Sequence, residues 1–468
     1  MLEPAYQADV VVVGAGVAGL SAAHRLTSAG VTTMVLEAAH GVGGRMATEK
    51  VDGFRLDRIG QLLSTAYPEL RLTPGLGTLV LRPFAPGVLL HGDGRHHRAG
   101  VQAGTGGARG ALHAVRALAS APRPPSAPRP PRRPVAVPGR QVSAPRSRSG
   151  APLGTAVDQA RLGAALTRLA GTPAERLLAR PELPAGEALA ARGLPARTID
   201  GFLRPLLAAL LCDPDLTTSS RCADLALRAF AGGRLCLPEG GAEALPELLA
   251  STLPPGTVHT GVRVTSVSTT SVTTAEHGEI RCRAVLVATD ARAAAELLPG
   301  LRVPEFHPVT VVHHTNDEPP ATGASLLLDA DLGGPVAHTA VVSRVDPSRA
   351  PAGRALVSST VLGRPPGDVD TAVRMHLARL YGVSTARWET LAVHHTAEAV
   401  PAMRPPHDLR RPVRLLAGLY VCGDHRDTST VQGALHSGHR ASAAILADLG
   451  VGRSMHVADP LPTVPRAA

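Results

Sequence analysis

Apolar and polar positions over residues 9–45, DVVVVGAGVAGLSAAHRLTSAGVTTMVLEAAHGVGGR, follow the rhythm of a βαβ unit. Residues 9–13 are a valine run behind one aspartate, which predicts a buried strand. Helical spacing follows, with Leu20, Ala23 and Leu26 on one face and Gly30 as the stop. A second apolar run at 33–36 ends on Glu37. Further along, 78–81 and 87–90 predict short strands, the second closed by His91-Gly92-Asp93-Gly94. Helix-compatible spacing returns at 156–169, 174–178, 185–192 and 196–211, with Pro and Gly between. Residues 217–220 form a turn and N-cap cluster that opens another helix, and Leu237-Pro238-Glu239-Gly240-Gly241 precedes the next. From 257 to 289 the pattern is β again. Val258, Val262, Val264 and Val267 fit strands, 272–274 and 279–282 fit a hairpin, and 284–288 is an apolar strand. Strands at 309–313, 325–328, 336–342 and 355–360 precede an amphipathic helix at 368–380. A strand at 418–422 and a helix from Gln432 to Leu449 close the pattern. The fold class is α/β.

The turn between the first strand and helix carries the chemistry. Gly14-Ala15-Gly16-Val17-Ala18-Gly19 is a G-x-G-x-x-G fingerprint in its required context. Gly14 permits the tight turn, Gly16 lets a pyrophosphate approach the backbone, and Gly19 lets helix and strand pack closely. The helix N-terminus offers unpaired N–H groups and partial positive charge. Glu37, at the end of the second strand, is placed for ribose hydroxyls and disfavours a 2′-phosphate. A second site of the same kind closes the chain. Gly423-Asp424 stands at a strand end, and Gln432-Gly433-Ala434 opens a helix, so a carboxylate and a helix N-terminus converge. GTGGARG at 104–110 is not a second fingerprint, because Arg109 stands at its sixth position and no strand precedes it.

Composition narrows the class. A chain of 468 residues with 44% hydrophobic content has room for two or three packed domains. The net charge of +10 owes much to residues 122–149, which are dense in Pro and Arg and contain no acid. Such a segment is a surface excursion rather than packed structure. No nucleic-acid module accompanies the charge, so nucleic-acid binding is not expected. The five cysteines form no C-x-x-C pair, which predicts free, mostly buried thiols in a reducing cytoplasm and no metal site. No apolar run reaches the roughly 20 residues of a membrane helix, and no signal peptide is expected.

With Ala38, Gly43-Gly44-Arg45, Asp57 and Gly60-Gln61 added to the first unit, the chain resembles the superfamily of flavin amine oxidases, protoporphyrinogen oxidases and phytoene desaturases. The resemblance implies FAD as cofactor. Glu37, Ala38, Gly44 and Arg45 would wrap its diphosphate and ribitol, and the segment with Gly60 and Gln61 would lie near the isoalloxazine ring. The backbone at Arg263 and Val264 would contact the adenine. Asp424 would hold the ribitol, and the helix opened by Gln432, Gly433 and Ala434 would point at the flavin N1–C2=O edge. The implied architecture is a discontinuous Rossmann-type FAD domain of residues 8–75, 251–302 and 411–450. Its partner would be a mixed sheet-plus-helices substrate domain. That domain would combine a helical and irregular insert at 76–250 with a sheet at 303–410, and residues 451–468 would be a flexible tail.

The resemblance also frames the activity. The lysine and aromatic pair of many amine oxidases are missing from their usual places, since Lys50 is the only lysine and lies in the cofactor half. Tyr381, Trp388 and Tyr420 are the aromatics nearest the C-terminal motifs. The expectation is an apolar cavity and two-electron desaturation or dehydrogenation of a hydrophobic small molecule, with hydride transfer to flavin N5. Alternatives are amine oxidation at a C–N bond and a flavin-binding scaffold without turnover. The electron acceptor stays open, O2 among the candidates, and peripheral membrane contact through the helical insert is a further option. No catalytic acid or base is assigned. His394, His395 and His425 are read as exposed or structurally bonded.

Overall fold

The computed structural model describes residues 8–100, 153–409 and 411–451. The loops expected at 104–110 and 122–149, and the tail beyond 451, lie outside them. The first sheet is six-stranded, in the order Val258–Thr260, Thr33–Glu37, Val10–Val13, Ala284–Val287, Leu419–Val421, Arg414–Leu416. Its pairings are parallel except the last. Val10–Val13 is central and fully buried because a parallel sheet is covered on both faces. The two-residue period of the strand divides its valines. Val10 and Val12 join the core under helices Val17–Ser28 and Val431–Asp448, with Leu20, Leu26 and Leu435. Val11 and Val13 join the opposite core, with Val272, Ile280 and Ala294. The three-stranded meander Val264–Val267, Ser271–Thr274, Gly278–Arg281 covers that opposite face. The two helices approach closely, since a Cβ on Gly438 would lie 2.3 Å from the Ala18 carbonyl oxygen.

The second sheet has seven strands, in the order Glu389–Pro401, Phe306–Asn316, Ala355–Leu362, Val336–Val341, Leu327–Asp329, Val88–Gly92, Arg95–Ala99. One face buries Val312, Val357 and Val361 against helix Val369–Tyr381 and Trp388. The other face meets a helical cluster containing Phe202, Leu203, Leu206 and Phe230. Leu203, Leu206 and Leu207 are buried in that cluster, so the apolar stretch 203–212 is core. Among the described residues no helix is long and apolar enough to cross a membrane.

Two details of the 78–99 region differ from the sequence expectation. The strand expected at 78–81 is displaced to Leu81–Pro83, where it pairs with Leu235–Pro238, while Leu79 is held in a turn by its N–H bond to the Leu76 carbonyl. The strand expected at 87–90 extends into a hairpin with Arg95–Ala99 and adds two strands to the second sheet. The hairpin turn is Asp93-Gly94, both with positive φ (50° and 69°), the pairing a two-residue turn favours.

Candidate cofactor and substrate site

Three glycines shape the cofactor side. A Cβ at Gly14 (φ +105°) would lie 3.0 Å from the Ala288 carbonyl oxygen, and one at Gly19 would lie 2.1 Å from that of Gly14. Both are required by the protein itself. Gly16 is not, because a Cβ there would meet nothing within 4 Å. Its open face borders Gly44, across a bridge between Gly16 and Gly43. The helix that starts at Val17, with Ala18 and Gly19 in its first turn, has no side-chain cap, so its N–H groups face that space. An unfilled backbone cradle against an uncapped helix start fits a diphosphate.

Glu37 is half-buried, and its carboxylate accepts the N–H of Ala15 (2.7 Å) and of Ala39 (2.9 Å). It fixes the fingerprint turn and keeps one acceptor site per oxygen for ribose hydroxyls. Ala38 beside it is exposed. The Gly261 and Val262 N–H groups donate to the carbonyls of Ala39 and Glu37, so the chain entering Val264 runs along Glu37.

The opposite end of the chain arrives at the same place. Arg45 pairs with Asp424 at 2.5 Å, 379 positions away, and donates to the Ala399 carbonyl at 2.9 Å. Gly423 donates to Ser437 Oγ at 2.9 Å. The Gly433 N–H is capped by Thr430 Oγ1, and Ala434 begins the helical ladder at the Thr430 carbonyl. Gln432 Oε1 accepts the Glu69 N–H (3.0 Å), so its side chain fastens helix Glu69–Leu72.

His425 departs from expectation. It is neither exposed nor bonded: it is 6% exposed, and neither ring nitrogen has a partner. Burial pushes its pKa down to about 4, so it is a neutral imidazole beside Asp424. Unpartnered buried nitrogens next to the Arg45–Asp424 pair are a second feature that fits a polar cofactor. His395 is exposed and bonded to Thr310 Oγ1 (2.8 Å), and His394 lies 3.6 Å from Glu49.

Gly60 (φ +65°) opens on a cavity between the 57–62 loop and the second sheet. Gln61 follows it, half-buried. The lining is mixed rather than wholly apolar. Leu62, Phe84, Leu237, Val311, Leu326 and Val342 face Asp57, His313, His338, Arg349, Ser358 and Thr360. Arg349 is 1% exposed and meets Asp57 Oδ2 at 2.6 Å. Its Nε donates to the Arg55 carbonyl, while Nη1 has no partner. Asp57 also accepts from Thr48 Oγ1 and the Ala242 N–H. His313 bonds Ser358 Oγ and the Asp57 carbonyl. Burial pushes both His313 and His338 down to about 4. Tyr381 and Trp388 pack together in the core on the far face of the sheet, away from this cavity. Lys50 pairs with Glu243 at 3.1 Å. All five cysteines are free and buried, and Cys422 is pushed up to about 12 by burial.

Asp57 entered the sequence reading only as part of the motif leading to Gly60, and His313, His338 and Arg349 carried no assignment from sequence. Strand register places His313 and His338 on one face, while Asp57 and Arg349 reach it from outside that sheet, and an arginine in the 346–351 turn resembles any other surface arginine.

A parallel sheet whose first turn leaves an open cradle that fits a diphosphate, completed by an acid and a helix from the C-terminus, fits a dinucleotide cofactor, and the family match below makes the protein an FAD-dependent oxidoreductase. The chain belongs to the flavin-containing amine oxidoreductase family, whose model matches residues 17–446. It is 46% identical over 98 residues to putrescine oxidase of Kocuria rosea, 20% of either chain. It is 35% identical over 100 residues to a limonene dehydrogenase component of Castellaniella defragrans, 19% of this chain and 18% of that one. These matches therefore span about a fifth of the relatives' length. The fold matches an oxidoreductase from Methanosarcina mazei with a TM-score of 0.66 at 15% identity, over 93% of this chain and 99% of that one.

Proposed function

We propose that the chain catalyses two-electron dehydrogenation of an uncharged small molecule whose reacting end meets the lining under Gly60. When bound, FAD supplies the hydride acceptor. The observation that carries the reading is the charge balance of the lining. Its two charged side chains, Asp57 and Arg349, neutralise each other at 2.6 Å, and its two histidines are neutral. A protonated amine entering there finds no unpaired carboxylate and loses its hydration, which disfavours the cation. The apolar half of the lining supports a largely hydrophobic substrate held by a few polar contacts. Desaturation of a C–C bond fits these demands.

Amine oxidation is the second reading, favoured by family membership and by the similarity to putrescine oxidase. The test is anaerobic bleaching of the flavin by a panel containing putrescine, cyclohexylamine and limonene. Bleaching by hydrocarbon substrates alone supports the first reading. Bleaching by amines alone overturns it in favour of the second. A protein that binds FAD yet is bleached by no member of a wide panel of both classes points to a scaffold without turnover.

A further inference from the structure

At the far edge of the second sheet, parallel pairing sets His91 of Val88–Gly92 beside Asp329 of Leu327–Asp329. Asp331 follows two residues on. One ligand atom from each of the three residues lies within 4.8 Å of the others. Two carboxylates so close repel each other unless a positive group lies between them.

Hydrogen-bond accounting separates this cluster from an ordinary acidic turn. Asp329 Oδ2 accepts the Gly333 N–H (2.7 Å) and faces His376 Nε2 at 3.0 Å, so that oxygen is committed. Asp329 Oδ1 accepts only the Asp331 N–H (3.1 Å), which leaves it one acceptor site. Asp331 takes the Asp93 N–H at 3.1 Å and is otherwise 45% exposed. The independent feature is His91. It is 4% exposed, its Nδ1 has no hydrogen-bond partner, and that atom points at Asp331 Oδ2 from 3.7 Å. That gap is too long for a hydrogen bond and fits two ligands of one ion.

We propose that His91 Nδ1, Asp329 Oδ1 and Asp331 Oδ2 bind one divalent cation of the zinc class. One imidazole and two carboxylates form a mixed N/O set suited to that ion, and water on the exposed Asp331 side completes the coordination. The ion would tie the hairpin Val88–Gly92/Arg95–Ala99 to the end of Leu327–Asp329. His376 is then a positioning residue, because its Nδ1 accepts the Val336 N–H and its Nε2 faces Asp329. Sequence spacing could not reveal such a site, since its halves are 238 positions apart.

The test is equilibrium dialysis of the FAD-loaded, chelator-stripped full chain against low-micromolar zinc, with metal and flavin counted per chain. The expected result is one zinc per chain, with affinity lowered about tenfold or more by Asp331→Asn and by His91→Phe. Asp331→Asn keeps an oxygen for the Asp93 N–H and lies at the surface, so it decides the matter if the buried His91 variant fails to fold. No zinc uptake by the wild-type chain overturns the proposal. So does undiminished uptake by Asp331→Asn, because the zinc is then held elsewhere. Flavin content, unchanged in Asp331→Asn, separates loss of metal from loss of the cofactor site.

Discussion

Replacing Arg349 by Met tests whether the cavity's ion pair is as isolated from water as the geometry states. Met matches the stem of the side chain but removes the guanidinium, leaving the Asp57 carboxylate with Thr48 Oγ1 and the Ala242 N–H as its remaining partners. Breaking a buried pair from one side costs about 3–5 kcal/mol, because the survivor stays charged without its partner. The two hydrogen bonds left on Asp57 place the expectation near the lower end, about 3 kcal/mol. At roughly 2–4 °C per kcal/mol in a domain of 150–250 residues, Tm should fall by about 6–12 °C. Asp57→Asn should cost a similar amount, since it leaves the Arg349 cation alone in the core. The double variant should recover part of the sum, with a coupling of about 1.5 kcal/mol or more between the sites. The assay is thermal unfolding of all four proteins at equal flavin occupancy. Strict additivity, or a loss below about 1 kcal/mol in Arg349→Met, would refute the reasoning and mean that water reaches the pair.

Gly16→Ala should fold with an unchanged apo Tm yet retain little FAD, because its Cβ enters only the open cradle, whereas Gly19→Ala should lose stability and flavin together; flavin absorbance per chain and Tm check both. Below pH 6.5 stability should fall steeply towards pH 4. His313, His338 and His425 are neutral when folded, with pKa about 4, and titrate near 6.5 when unfolded, so the unfolded state binds the extra protons. Each contributes a slope of about 1.4 kcal/mol per pH unit in that window, and His338→Leu should remove one such share, read from denaturant midpoints against pH. A thiol reagent should find almost no reactive cysteine in the native protein and all five after unfolding, since every thiol is buried.

The cofactor half was legible in the sequence because its requirements are local. A tight turn, a close backbone approach and an acid at a strand end each demand one residue type at one spacing. Gly14, Gly16, Gly19 and Glu37 meet those demands within a single βαβ unit. Gly423 and Asp424 were legible for the same reason. The substrate half was not. Val311 and His313, Ser358 and Thr360, and His338 line one cavity only because three strands align in a register the chain does not announce. Arg95–Ala99 was missed because it is a polar edge strand, RHHRA, with little apolar alternation. His425 was noticed for its neighbours, but its lack of any partner is a property of the packed site alone.

The division has a physical consequence for how the activity is set. The open cradle at Gly16 is built largely from backbone and fixed by the strand-end acid Glu37, with Asp424 paired to Arg45, so substitutions in the cavity leave it in place. The cavity's character rests on the single buried pair Asp57–Arg349, which stands at the junction of the two halves. Asp57 closes the strand that leads to Gly60, while Arg349 belongs to the turn before the second sheet's interior strand Ala355–Leu362. A change that frees Asp57 from Arg349 would place an unpaired carboxylate in the lining, the feature whose lack disfavours an ammonium ion there. Under the function proposed above, the same pair therefore couples the fit of the two halves to the charge of the molecule they would admit.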